Sequence, residues 1–236
     1  MSKKTIGIIG GMGPAATVDL FKKIVENTDA ANDAGHVRVY MDCYPTIPDR
    51  TKAILGEGES PVPYLAESAE KLAAIGADFL IMPCNTSHYF YKELSEKSPI
   101  PVMNMIQETA KELHSRGVQK VGVLATDGTV KTGIYQKELA VFGIEAVCPS
   151  VKGQQEVMRL IYDGVKADAK QFPAEAMRGV VSELFAQGAE VLVLGCSELP
   201  LGFERYGIPL ENTVDAVEIL ARAAIAAAGY PTKNEG

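Results

Sequence analysis

The sequence predicts an α/β protein made of two similar doubly wound α/β domains with parallel sheets. Three observations carry this. Short β-rich apolar runs alternate with helix-period segments along the chain. The pattern then restarts: residues 120–126 (KVGVLAT) parallel residues 4–10 (KTIGIIG). The matches also keep their order at a slowly shrinking offset, 115 from Gly7 to Gly122, 112 from Cys84 to Cys196 and 108 from Ile100 to Ile208. Ordered, drifting offsets mark a duplicated unit with small deletions, at a period too long for a solenoid. No Gly/Ser-rich or charge-rich linker separates the halves, so two tightly joined domains with a ligand cleft between them are expected. The last helix, about 214–228, has no strand after it and is expected to pack back on the first half. The domains are therefore set at 1–103 plus 213–236, and at 104–212.

Each element follows from local pattern. Residues 5–9 are a short apolar run without alternation, which fits a parallel strand covered on both faces. Gly10-Gly11-Met12-Gly13-Pro14 is a tight turn. Pro14 suits the first turn of the next helix, where its missing N–H costs nothing, and that helix runs to about Glu26. Residues 37–41 are the next strand, and 43–60, with Pro45 and Pro48, read as a loop. A helix over 63–75 leads to a strand at 79–82, then Cys84, then a helix from about Ser87. Residues 101–105 read as a strand, followed by a helix to Arg116.

The bulk numbers narrow the function. The chain has 236 residues, 47% hydrophobic and 22% charged, the composition of a soluble globular protein. A net charge of −7 argues against non-specific nucleic-acid binding, while a few local cations can still hold an acidic ligand. Cys43, Cys84, Cys148 and Cys196 include no C-x-x-C pair, and His36, His88 and His114 lack metal-ligand spacing, so no metal is expected. The start has no apolar stretch long enough for a signal peptide, and no run approaches a membrane span. A cytoplasmic protein with free thiols and no membrane partner is expected.

In an open parallel sheet, ligands bind beyond the carboxyl ends of the strands. The glycine turn, Cys84-Asn85-Thr86, Thr126 and Cys196-Ser197-Glu198 all fall there. One such cysteine alone reads as buried and structural. Two at equivalent strand ends, each beside small polar residues, place similar thiols where one can take a proton and the other give one. Backbone N–H groups at a helix start lower a thiol from about 8.5 and favour the thiolate. Cys43 and Cys148 have no such parallel and read as structural. Asn85, Thr86 and Thr126 can donate to a carboxylate or cap helices. Arg50, in the stiff loop Ile47-Pro48-Asp49-Arg50-Thr51, suits bidentate carboxylate binding or an ion pair with Asp49. Lys166 ends an amphipathic stretch from about Gln155, where a cation also suits the helix dipole. His88 reads as a helix-surface or supporting group rather than a catalytic one. The glycine turn lacks G-x-G-x-x-G and a Walker lysine, so it reads as a close backbone approach to a small ligand.

Ile8-Ile9-Gly10-Gly11-Met12-Gly13-Pro14, Ile47-Pro48-Asp49-Arg50-Thr51, Met82-Pro83-Cys84-Asn85-Thr86 and Leu194-Gly195-Cys196-Ser197-Glu198 together resemble the aspartate racemases of the cofactor-independent aspartate/glutamate racemase family. The similarity runs in order over nearly the whole chain. It implies a homodimer that racemises an acidic amino acid without pyridoxal phosphate or any other cofactor. One cysteine removes the α-proton and the other protonates the opposite face; Cys84 and Cys196 match that pair. The resemblance also implies that Asn85, Thr86 and Thr126 hold the α-carboxylate, that Arg50 and Lys166 hold the side-chain carboxylate, and that Met12 lies in the first ligand-facing turn. Ser197 and Glu198 stand beside Cys196 as supporting groups.

The sequence departs from the pattern at Asp42-Cys43-Tyr44-Pro45, where many aspartate racemases are expected to carry asparagine before the proline. Tyr44 is expected to reshape the side-chain pocket, which leaves glutamate or another amino acid open as substrate. Two retained cysteines argue against the single-cysteine decarboxylase relatives, and the Pro-Asp-Arg-Thr loop argues against the maleate isomerase relatives. Outside enzymes, two lobes and paired thiols also describe a small-ligand-binding or thiol redox-sensing module.

Overall fold

The computed structural model describes residues 3–233. The chain divides into two compact units: one runs to Glu108 and resumes at Val217, and the other is Thr109–Ala216. In the first unit the order is β1 (Ile6–Gly10), α1 (Pro14–Asn27), β2 (Val39–Cys43), α2 (Arg50–Leu55), α3 (Val62–Ala74), β3 (Phe79–Ile81) and α4 (Tyr91–Lys97). Helix α5 (Met105–Ser115) carries the chain into the second unit. There follow β4 (Lys120–Ala125), α6 (Asp127–Thr132), α7 (Ile134–Val141), β5 (Glu145–Val147), α8 (Val151–Arg159), a π-helical turn at Leu160–Lys166, α9 (Glu175–Ala186), β6 (Val191–Gly195), α10 (Glu198–Arg205) and β7 (Thr213–Asp215). The final helix, α11 (Ala216–Ala227), lies almost wholly in the first unit.

Both sheets are parallel throughout, with strand orders β2-β1-β3 and β5-β4-β6-β7. The predicted α/β class is therefore observed, and the first three strands of each half share one order. Strand β1 is buried at all five positions, so it reads as an unbroken apolar run rather than an alternating one. Each fully buried Leu or Ile contributes about 1.5–3 kcal/mol relative to exposure. Helix α1 buries Ala16, Thr17, Leu20 and Ile24 at helical spacing, with Pro14 in its first turn. Thr17 serves the turn before it: its hydroxyl accepts from Gly11 N at 2.8 Å and donates to Gly13 O at 2.9 Å.

Two expectations need correction. The segment 43–60 is not all loop, because α2 occupies its middle. Asp49 caps that helix, accepting from Lys52 N at 2.9 Å, and Gly56 stops it in a left-handed conformation (φ 77°). The strand expected at 101–105 shrinks to one parallel bridge, Leu80 to Val102. It ends there because Asn104 turns to cap α5, its Oδ1 accepting from Ile106 N at 3.0 Å and Gln107 N at 3.3 Å. In the second half the corresponding strand is real but lies beyond Ile208–Leu210, at β7. Among the described residues, no helix is long and apolar enough to cross a membrane.

Candidate active site

Cys84 follows β3 and is 7% exposed. It opens a 3-10 turn, Asn85–Phe90, that precedes α4 and stands where a helix from Ser87 was expected. Asn85, Thr86, Ser87 and His88 are all buried. Ser87 Oγ donates to Met12 Sδ at 3.3 Å, joining the Cys84 turn to the glycine turn. Met12, Ile47 and Cys84 share one apolar cluster. Gly11 (φ 90°) is required here: a Cβ would come within 2.4–2.6 Å of the Tyr44 backbone.

The Tyr44 side chain is committed to α3. Its hydroxyl lies 3.4 Å from Glu67, its ring meets Tyr64 edge-on at 5.9 Å, and the Lys71 ammonium sits 5.6 Å from the ring centre. The part of Tyr44 beside the glycine turn is therefore its main chain. Arg50 opens α2. Its Nη1 donates to Ile47 O at 3.0 Å and Pro48 O at 2.8 Å, which anchors one corner of the guanidinium. Its Nε is buried with no hydrogen-bond partner. Asp49 is used as the α2 cap rather than as an Arg50 partner.

In the second unit, Cys196 follows β6 and is 6% exposed. Its thiol donates to Glu198 Oε2 at 3.0 Å, and Ser197 Oγ donates to the same oxygen at 3.2 Å. Lys166 Nζ lies 3.8 Å from Glu198 Oε1 and 4.6 Å from the Tyr162 ring centre, at the end of the π-helical turn. Burial, then the charge and hydrogen bond of Glu198, push the Cys196 thiol well above its usual range; Lys166 opposes them. A helix start favours the thiolate, but at Cys196 burial and the Glu198 carboxylate favour the thiol form. Thr126 caps α6, its hydroxyl 3.3 Å from Thr129 N.

Of the remaining thiols, Cys43 is exposed rather than buried. Cys148 is partly buried 3.3 Å from Gln136 Nε2, and burial raises its pKa. Two supporting residues carried little sequence signal. Gln154 Nε2 donates to Ala125 O at 2.9 Å and Asp127 Oδ1 at 2.8 Å, fixing the carboxyl end of β4 from 29 residues away. His88 is fully committed inside the protein: one ring nitrogen lies 2.9 Å from Cys84 O, and the other accepts from Met105 N at 3.1 Å. Among the described residues, no group of three His, Cys, Asp or Glu side chains is arranged to hold a metal ion.

The Asp/Glu/Hydantoin racemase family model matches residues 9–224. The broad specificity amino-acid racemase RacX of Bacillus subtilis is 30% identical over 82% of this chain and 85% of its own length. Glutamate racemase of Aquifex aeolicus is 30% identical over 75% of this chain and 68% of its own. Among solved structures, Picrophilus torridus aspartate racemase gives a TM-score of 0.82 at 36% identity, covering 98% of this chain and 96% of that one.

Proposed function

We propose, from the premise that this chain belongs to the Asp/Glu/hydantoin racemase family and is an amino-acid racemase, that it interconverts L- and D-aspartate by proton transfer between two cysteines. The observation that carries this reading is a matched pair: two buried free thiols follow corresponding strands, β3 and β6, of two sheets with the same core order. The 36% identity to an aspartate racemase supports aspartate over other acidic amino acids.

In the proposed step, Cys84 as thiolate takes the α-proton. The C–H electron pair is left on the α-carbon and delocalises into the carboxylate. Cys196 delivers its thiol proton to the opposite face and keeps the S–H electrons as a thiolate. The reverse reaction exchanges the roles. The bond from Cys196 to Glu198 supports this first assignment, because it holds one member of the pair as the acid. An amino-acid α-proton is far less acidic than a thiol, so fixed donors and cations must stabilise the developing charge.

Asn85, Thr86 and Thr126 hold the α-carboxylate in this reading, and Met12 borders it. Arg50 and Lys166 hold the side-chain carboxylate. Arg50 suits the task because its guanidinium is anchored at one corner while Nε is unpartnered. The proposed enzyme is a homodimer that works without pyridoxal phosphate.

The test is to incubate pure L-aspartate in D2O with the protein and no pyridoxal phosphate. The expected result is deuterium at the α-carbon by 1H NMR, with D-aspartate appearing on a chiral column. Unchanged chirality with no deuterium rejects aspartate as substrate. The same experiment with L-glutamate measures the preference between the two acids.

A further inference from the structure

We infer that His88 is a positioning residue for Cys84, its neutral ring fixing the peptide plane that links Cys84 to Asn85. The inference rests on the reading that Cys84 moves the α-proton. His88 is 5% exposed, and both ring nitrogens are used. The Met105 amide can only donate, so its bond assigns Nε2 as the acceptor and the ring proton to Nδ1, with the Met103 and Asn85 main chains also against the ring. Nδ1–H therefore donates to Cys84 O at 2.9 Å. The ring also stacks on Tyr91, centroids 6.5 Å apart and planes 11° apart, and Tyr91 is tied by its hydroxyl to Val102 O at 3.2 Å. Burial keeps the imidazole neutral, with a pKa lowered to about 4.

The consequence follows from peptide geometry. Cys84 O accepts from His88 and from Ser87 N, the latter at 3.2 Å, so two bonds set its direction. The peptide is planar and trans, so the Asn85 N–H points opposite to that carbonyl. One ring thereby aims the first amide of the turn that carries Cys84, Asn85 and Thr86. The far side of the ring satisfies an amide of the first turn of α5, where Asn104 already serves the next two. A merely structural histidine would hold α5 without affecting the chemistry at Cys84.

Three variants separate these roles. His88→Ala removes both bonds. His88→Asn keeps a donor near the Nδ1 position and loses the Met105 bond. His88→Gln keeps an acceptor near Nε2 and loses the Cys84 bond. Positioning predicts that H88A and H88Q lose about 10- to 100-fold in kcat, as a misplacement of about 1 Å does, with KM within about threefold. H88N rescues most of that kcat despite a lower Tm. Equal losses of kcat in H88N and H88Q, or no loss in either, overturn the inference.

A second readout does not depend on turnover, so failure of the racemase reading remains distinguishable. Alkylation of Cys84 by iodoacetamide is followed by peptide mass spectrometry on the folded proteins. It should differ about tenfold between H88Q and H88N, since a shift of about 1 Å changes reactivity on that scale. Equal alkylation rates in the two variants overturn the inference even if no amino acid is racemised.

Discussion

The two thiols sit at the same place in the repeat, yet opposite chemistry holds them. In the second unit a carboxylate touches the sulfur itself: Glu198 accepts from Cys196 at 3.0 Å. In the first unit the support reaches only the carbonyl of Cys84, through the neutral ring of His88. The repeat thus keeps the position of the cysteine while the groups beside it differ. In the proposed mechanism, side chains of equal intrinsic strength become acid and base through their neighbours, the same logic that separates paired carboxylates in other active sites. In a racemase this difference has a constrained signature. Enantiomers have equal free energy, so kcat/KM must be equal in both directions. Inequality between the thiols therefore shows only in the separate kcat and KM values and in their pH profiles.

The largest expected effect tests whether both thiols are needed. Cys84→Ala and Cys196→Ala should each lose about 1,000-fold or more in racemisation, because in the proposed mechanism each removes one of the two groups that move the proton. Chiral analysis of L- and D-aspartate, with protein folding checked by circular dichroism, measures it. Full racemisation in either variant breaks the comparison, since a single thiol would then do the work of two.

The next effect concerns stability. His88 has a folded pKa of about 4 against 6.5 unperturbed, because burial penalises its charged form. Its folded pKa is depressed, so between these values the unfolded chain binds more protons. The contribution is present above about pH 6.5 and is lost as pH falls towards 4. The difference corresponds to about 3 kcal/mol. Urea midpoints measured from pH 7 to pH 4 should fall more steeply for the wild type than for His88→Asn. Parallel slopes would assign the acid loss to other groups, such as Glu67 or Asp168, whose ion-paired carboxyls also lose stabilisation as pH falls.

The fold class was legible because alternating apolar runs and a drifting repeat are properties of the chain's order. The matched cysteines were legible for the same reason. What escaped depended on partners that spacing does not reveal. His88 is four residues from Cys84, but its second bond reaches Met105, 17 residues on. Gln154 secures a strand end 29 residues away. Helix α2 had its signals in place, Asp49 as cap and Gly56 as stop, but six residues between proline-marked bends read as loop. Glu198 was visible two residues beyond Cys196, but spacing does not show that its carboxylate touches the sulfur. A helix start argues for a thiolate, whereas a buried carboxylate on the sulfur argues for the thiol.

Glu198→Gln tests that last point and gives the smallest of the three effects. The amide oxygen can still accept the thiol proton, but the negative charge is gone. Two of the causes that raise Cys196 weaken together, while burial still raises it and Lys166 still lowers it. The thiol pKa therefore falls without returning fully to its usual range. Cys196 then loses its proton at lower pH, and the direction in which it serves as the acid suffers first. The alkaline limb of kcat in that direction should move to lower pH, with kcat itself down about 10- to 100-fold. The opposite direction should change less in kcat and correspondingly in KM, keeping kcat/KM equal for the two enantiomers. Alkylation of Cys196 against pH reports the same shift without substrate. An unmoved alkaline limb in both directions, with unmoved alkylation, would mean that Glu198 does not set the strength of this acid and that the two thiols are chemically alike.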